Sequence, residues 1–255
     1  MVCGGDVTAF LQFIDAENTQ WAELSNKLLG LISSHASGWL VMHLDGEIPA
    51  VLDQTGNLIF GKLKDAEFNP QNTRYLRTDS SFYLPLPVQE RAVLFGGGHC
   101  AKALVPFLSK VGFRVTVMDN RPEYATPELF PEAETVICGD YCKISDYLTL
   151  LPSDYVVIMS NGHAHDLEIQ KQVLEHPPYY VGVIGSKSKK DFVNAKLREA
   201  GISEEAINST HTPIGTEIKA VTPEEIAISI AGEMIYERAL LRESCGITSH
   251  GCPMH

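Results

Sequence analysis

The chain has 255 residues, enough for one large domain or two small ones, and its 44% hydrophobic content supports a real core. A formal net charge of −12 and a pI near 5.2 argue against a nucleic-acid binder, because phosphate recognition needs a basic footprint. No apolar run is long enough to span a bilayer, no signal peptide is expected, and the six cysteines are too sparse for a disulfide framework, a pattern that fits a reducing cytosol.

The first residues read MVCGGD and lead into 7–14, where Val7, Ala9, Leu11 and Phe13 alternate with polar residues, so a strand is expected. A strand that starts at a Cys-Gly-Gly turn is unusual for a natural N-terminus. Cys3 is a candidate exposed thiol, although free cysteine is more often buried and inert. Thr19 is expected to cap a helix over 20–33, with Trp21, Leu24, Leu28, Leu31 and Ile32 on one face. Strands are expected at 39–44, 49–52 and 58–60, with turns at Asp45-Gly46 and Thr55-Gly56-Asn57. The polar run 64–81 reads as loop, and 82–86 as a last strand. Pro85 and Pro87 mark a join near residue 88. Residues 1–88 thus read as a small α+β unit. Its sheet edge would be covered by self-association, so a homodimer is expected.

The stretch 91–119 carries the strongest signal. An apolar run, Ala92-Val93-Leu94-Phe95, suits a buried parallel strand. Gly96, Gly97 and Gly98 follow, then a helix-like run over 99–111, a second strand-like run over 114–118, and Asp119. Gly96, Gly98 and Ala101 match G-x-G-x-x-G/A: Gly96 for the tight turn, Gly98 for approach of a pyrophosphate, and Ala101 for close helix packing. The helix start favours an anion, and Asp119 lies where a carboxylate holds ribose hydroxyls. Two details depart from a routine NAD site: Pro106 should kink or shorten the helix, and Arg121 stands close enough to engage Asp119.

Further strands are expected at 134–138, 154–160 and 179–184, with helices notably at 188–200 and 223–242. This alternation implies a doubly wound parallel sheet over 89–243, with ligands at the carboxyl ends of its strands and a flexible tail over 244–255. At those ends lie three further stretches. Ser160-Asn161-Gly162-His163-Ala164-His165-Asp166 offers a metal pair in His163 and His165 with Asp166 nearby; the plainer alternative is that the histidines cap a helix or touch a ligand's phosphates and polar edges. Gly185, Ser186 and Lys187 could seat an anion, or simply start a solvated basic helix; the spacing is not that of a Walker A loop. Thr222, Pro223 and Glu225 form a capping box, while His211 sits in a turn beside the crevice. Cys138 and Cys142 have weak metal spacing, and Cys245, His250, Cys252 and His255 lie in the tail.

These stretches resemble the xanthine dehydrogenase accessory factors, the XdhC/CoxI family. The matches are LFGGGHCAKAL, VTVMDNRPEYATPELFP, NGHAHD, VGVIGSKSKK and HTPIGTEIKAVTPEEIAISIAGEM, in the family's order over 88–237. MVCGGDV resembles a Cys-Gly-Gly segment late in the family's N-terminal domain, whose front is then missing here. The resemblance implies a Rossmann-like domain and a role in maturing molybdenum hydroxylases: binding the molybdenum cofactor (molybdopterin), protecting it while its sulfido ligand is installed, and delivering it to the apo-enzyme. The apo molybdenum hydroxylase and a cysteine desulfurase would be the partners, in the cytoplasm. Carried over by motif, Gly96, Gly98, His99, Asp119, Arg121, His163, His165, Asp166, Gly185, Ser186 and Lys187 would line the crevice, and Cys3 would be the thiol near molybdenum. The alternatives are an NAD(P)-dependent oxidoreductase, for which His163 or His165 with Asp166 would move the proton, and a nucleotide-binding sensor.

Overall fold

The chain falls into two units, Met1–Val88 with Leu241–His255, and Gln89–Leu240. The computed structural model describes residues 9–33, 36–65, 76–86, 89–185 and 187–244. Cys3, Ser186, Cys245, His250, Cys252 and His255 lie outside the described residues, as do the side chains of His163 and Lys187.

In the first unit, helix α1 (Thr19–Ser33) precedes a five-stranded antiparallel sheet of β1 (Gly38–His43), β2 (Ala50–Asp53), β3 (Leu58–Phe60), β4 (Leu76–Arg77) and β5 (Ser81–Pro85), in the order β3-β2-β1-β5-β4. The β2–β3 turn is set by Asp53, whose Oδ1 accepts from the N–H groups of Thr55 (2.8 Å) and Asn57 (2.9 Å). Trp39, Val41, Ala50, Leu52 and Tyr83 form its core. Three expectations need correction here. Residues 9–14 are not a strand: Leu11 is 91% and Phe13 82% exposed, so their alternation buries no face and pairing gains nothing. Helix α1 takes in Thr19, and the side chain of Asn18 accepts from the Gln20 N–H instead. The short strand β4 falls inside the stretch read as loop.

The second unit is the expected parallel sheet. Its strands are β6 (Arg91–Phe95), β7 (Arg114–Asp119), β8 (Thr135–Cys138), β9 (Tyr155–Ile158) and β10 (Tyr180–Val183), in the order β10-β9-β6-β7-β8, all parallel. Strand order reverses between β6 and β9, where doubly wound sheets open their crevice. Helices α2 (His99–Lys110), α3 (His163–Glu175), α4 (Lys187–Glu199), α5 (Glu204–Asn208) and α6 (Pro223–Ser244) complete the unit. Alternate residues of β6 feed two cores. Ala92 and Leu94 pack with Leu104, Leu108, Ile230 and Met234 of α2 and α6. Val93 and Phe95 pack with Ile169, Val173, Leu197 and Ile207 of α3, α4 and α5.

Helix α2 runs through Pro106 to Lys110, where the sequence suggested a kink or an early stop. The carbonyl that Pro106 leaves unpaired belongs to exposed Lys102, away from the face buried through Ala101, Leu104, Val105 and Leu108. The capping box of α6 is present: the Glu225 N–H donates to Thr222 Oγ1 (3.2 Å) and the Thr222 N–H to Glu225 Oε2 (3.0 Å). Among the described residues no helix is long and apolar enough to cross a membrane.

At the amino end of the sheet, Arg91 holds Asp154, whose side chain is 1% exposed, through Nε (3.0 Å) and Nη2 (2.5 Å). Asp154 also accepts from the Leu151 N–H at 2.7 Å. Arg91→Ala would leave that carboxylate buried without its cation, so a loss of about 3–5 kcal/mol is expected. Urea unfolding followed by circular dichroism measures it; a loss below about 1 kcal/mol would show the pair to be idle.

Candidate functional site

The glycine loop between β6 and α2 is shaped by what surrounds each glycine. Gly96 has φ +117°, and a Cβ there would fall 2.3 Å from the carbonyl oxygen of Met159, just past β9. At Gly97 a Cβ would fall 2.1 Å from the carbonyl oxygen of Tyr124. Gly98 faces open space and is the N-cap of α2, with no side-chain cap bond. Ala101 is fully buried in the core. The fingerprint leaves its middle position free, yet Gly97 is as constrained here as Gly96. The uncapped start of α2 beside open Gly98 is suited to an anion.

Asp119 ends β7 with no exposed surface. Its Oδ2 accepts from the Gly97 N–H (2.7 Å) and Arg121 Nη2 (2.9 Å); its Oδ1 accepts from the Arg121 N–H (2.9 Å) and Nε (3.0 Å). Burial raises the pKa of this carboxyl, but the hydrogen bonds from Arg121 and Gly97 outweigh it and hold the group below the usual carboxylate range. With four donors on two oxygens, no lone pair remains for a ribose hydroxyl in this arrangement, which departs from the expected role of Asp119. What the strand end presents instead is the Arg121 guanidinium, stacked 3.8 Å from the Tyr124 ring centroid, with Lys102 Nζ 5.9 Å from the same centroid. The guanidinium is thus ion-paired with Asp119 on one side and open to the Tyr124 ring on the other.

The other sequence candidates lie at the same edge of the sheet. His99 is the exposed first residue of α2. His165 is half-buried, its ring 5.5 Å from that of Tyr141. Asp166 is 7% exposed and turns back to Ser160, accepting from its N–H (3.1 Å) and hydroxyl (2.5 Å). Among the described residues no three His, Cys, Asp or Glu side chains gather as a metal site. Of the expected pair of His163 and His165, the His163 side chain lies outside the described residues; His165 packs on an aromatic ring, and the nearby Asp166 closes its own loop. Gly185 follows β10, and a Cβ there would meet Thr212 Cγ2 at 3.7 Å.

One cluster escaped the sequence reading. Glu233 of α6 accepts from Tyr180 on β10 and from the Gly215 N–H (3.1 Å), and its Oε1 lies 3.3 Å from His211 Nδ1. His211 N–H and carbonyl extend the parallel ladder beside Val181 and Val183. The hydrogen bond to Glu233 raises the His211 pKa, against an opposing effect of burial. Burial alone would raise Glu233, but His211, Tyr180 and Gly215 together lower it.

Fold and loop together define a Rossmann-type unit with a glycine-rich loop at its topological switch point. The family model for the XdhC Rossmann domain matches residues 92–234. The chain belongs to that family. It is 34% identical over 149 residues to the uncharacterized protein YqeB of Escherichia coli, covering 58% of this chain and 27% of that protein. It is 29% identical over 163 residues to a probable xanthine dehydrogenase subunit of Bacillus subtilis, covering 64% of this chain and 47% of that one. It thus spans about half or less of these curated relatives. A crystal structure of a xanthine dehydrogenase from Bacillus halodurans superposes with a TM-score of 0.68 at 26% identity, covering 87% of this chain and 65% of that chain.

Two outcomes follow from this geometry. Gly97→Ala should cost about 1–3 kcal/mol, because the Tyr124 carbonyl must move, whereas Gly98→Ala should cost under about 1 kcal/mol; paired urea titrations compare them. His211 has a raised folded-state pKa, so its stabilisation is complete below the ordinary value of about 6.5 and is lost as pH rises through the raised value. Unfolding free energy should decline over that interval in the wild type, and His211→Gln should flatten the decline. An unchanged slope in the variant would place the titration elsewhere.

Proposed function

We propose that this chain is an accessory factor of a molybdenum hydroxylase, and that its Rossmann unit binds the molybdenum cofactor and passes it to the apo-enzyme. The observation that carries this reading is the glycine loop within a match to the XdhC Rossmann domain: open Gly98, the uncapped start of α2, and Arg121 with Lys102 close by. These residues fit a pterin that carries a phosphate or a nucleotide. The molybdenum centre, when bound, supplies the redox chemistry of the client enzyme. This chain's residues would hold the anionic end: backbone N–H groups at 98–101 and the Arg121 guanidinium would face it, while Asp119 holds the guanidinium and the Gly97 N–H that precedes those groups. Names of the relatives support a partner of the xanthine dehydrogenase kind. Self-association as a homodimer and contact with a cysteine desulfurase belong to the same reading.

The saturated Asp119 weighs against the rival reading of an NAD-dependent oxidoreductase, since that cofactor's ribose diol would find no free carboxylate. The test is to co-express the chain in a host that makes molybdenum cofactor, then measure pterin fluorescence after oxidation and molybdenum by mass spectrometry. Near-stoichiometric pterin and molybdenum are expected. Gly98→Asp should reduce both at least about tenfold, by placing a carboxylate against the anion, with the thermal midpoint little changed. A wild-type chain that carries neither, or a Gly98→Asp variant that keeps both, would refute the assignment.

A further inference from the structure

Helix α6 is apolar on more than one side. Ala227, Ile230, Ala231 and Met234 are buried in the core shared with α2 and β6. On the outward side, every exposed position between 226 and 240 is uncharged: Ile228, Gly232, Ile235, Tyr236 and Leu240. Ile228 is 51%, Ile235 39%, Tyr236 61% and Leu240 38% exposed. At helical spacing these positions form one stripe, about 140° wide. A helix face turned to water carries charge, and a helix apolar all round is a buried one.

Gly232 stands in the middle of the stripe. Glycine inside a helix costs about 1 kcal/mol relative to alanine. Among the described residues a Cβ there would meet only Thr216 Oγ1, at 3.8 Å, an ordinary contact. The missing side chain leaves a notch beside Ile228, Ile235 and Tyr236, into which a second helix can come close. The area is also sufficient. At the exposures given, the four large side chains present roughly 400 Å² of apolar surface, the size of patch that is often functional. Two copies then bury about 800 Å², and at the roughly two-thirds apolar content of homodimer interfaces this corresponds to about 1,200 Å² in all, where stable interfaces begin.

We infer that this face of α6 is a two-fold contact with a second copy of this chain, the two helices crossing antiparallel at Gly232. A two-fold contact sets one patch against itself, so the stripe must complement itself. With the axis at Gly232, position 228 of one copy meets position 236 of the other, and the large Tyr236 fills the space beside the notch. The antiparallel crossing opposes the two helix dipoles and keeps the acidic first turns, with Glu224 and Glu225, apart. The contact gives the self-association of the proposed function a definite surface, on α6 and not at the sheet edge of the first unit, and it needs no bound cofactor.

Light scattering and sedimentation equilibrium on the purified full chain, at micromolar concentration, test it. A mass twice the chain's 28.0 kDa is expected. Ile235→Glu and Tyr236→Glu should each weaken the dimer at least about tenfold, because a carboxylate would be buried without a partner. Gly232→Leu should do the same by filling the notch. Leu58→Lys, on the edge strand β3, should leave the dimer unchanged. Circular dichroism establishes that each variant is folded; where one of the α6 variants is not, the other two decide. A monomeric wild type would overturn the inference, whether the face is bare or covered by residues 245–255 or by another protein. So would a dimer that survives the α6 variants, or one that falls apart in Leu58→Lys. Pterin content keeps the two readings apart: a monomer that holds pterin loses only this contact, and a dimer without pterin loses only the molybdenum role.

Discussion

The carboxylate of Asp119 is the constraint on which the crevice depends. It is a buried charge, and removing it from water is costly unless it is paired and its lone pairs are met. Arg121 meets that requirement in bidentate fashion, and the Gly97 N–H completes it. The consequence runs outward. Gly97 is drawn toward the strand end until its Cα faces the Tyr124 carbonyl, Arg121 is laid across the Tyr124 ring, and the start of α2 is left uncapped beside Gly98. One acid thus fixes both the Arg121 guanidinium and the loop that leads into α2.

The doubly wound sheet was legible in the sequence because its signals are local and agree with one another: apolar runs, glycines at a strand end, a helix pattern, and an acid at the next strand end. The capping box of α6 was readable for the same reason. What was not legible depends on distant partners. Residues 9–14 alternate like a strand but bury no face. The strand β4 is two residues long, too short to show a period. Gly97 is constrained by a carbonyl more than 20 residues away in the chain, at Tyr124, which no spacing rule exposes. The Tyr180–His211–Glu233 cluster joins three elements, and nothing in the turn around His211 names a glutamate deep in α6. Asp119 is the instructive case: its position was readable, but its use was decided by Arg121 two residues on.

The parallel sheet also separates two kinds of demand along the length of its strands. At the amino end, Arg91 and Asp154 hold the strand starts together by a buried ion pair. At the carboxyl end, Gly98 and Arg121 keep surface available. Because the core between them is filled by packed aliphatic and aromatic residues, a change at one end reaches the other only through a close-packed layer.

The contrast between the three glycines has a consequence for how such a chain can drift. Gly96 and Gly97 are required by neighbouring backbone, whatever the crevice holds. A Cβ at Gly98 would meet no neighbour within 4 Å, so on the proposed reading it is the ligand that keeps this glycine. A descendant released from that ligand would then surrender Gly98 early and keep the other two for as long as it folds. On that reading the third glycine is a record of use, and the first two are a record of architecture.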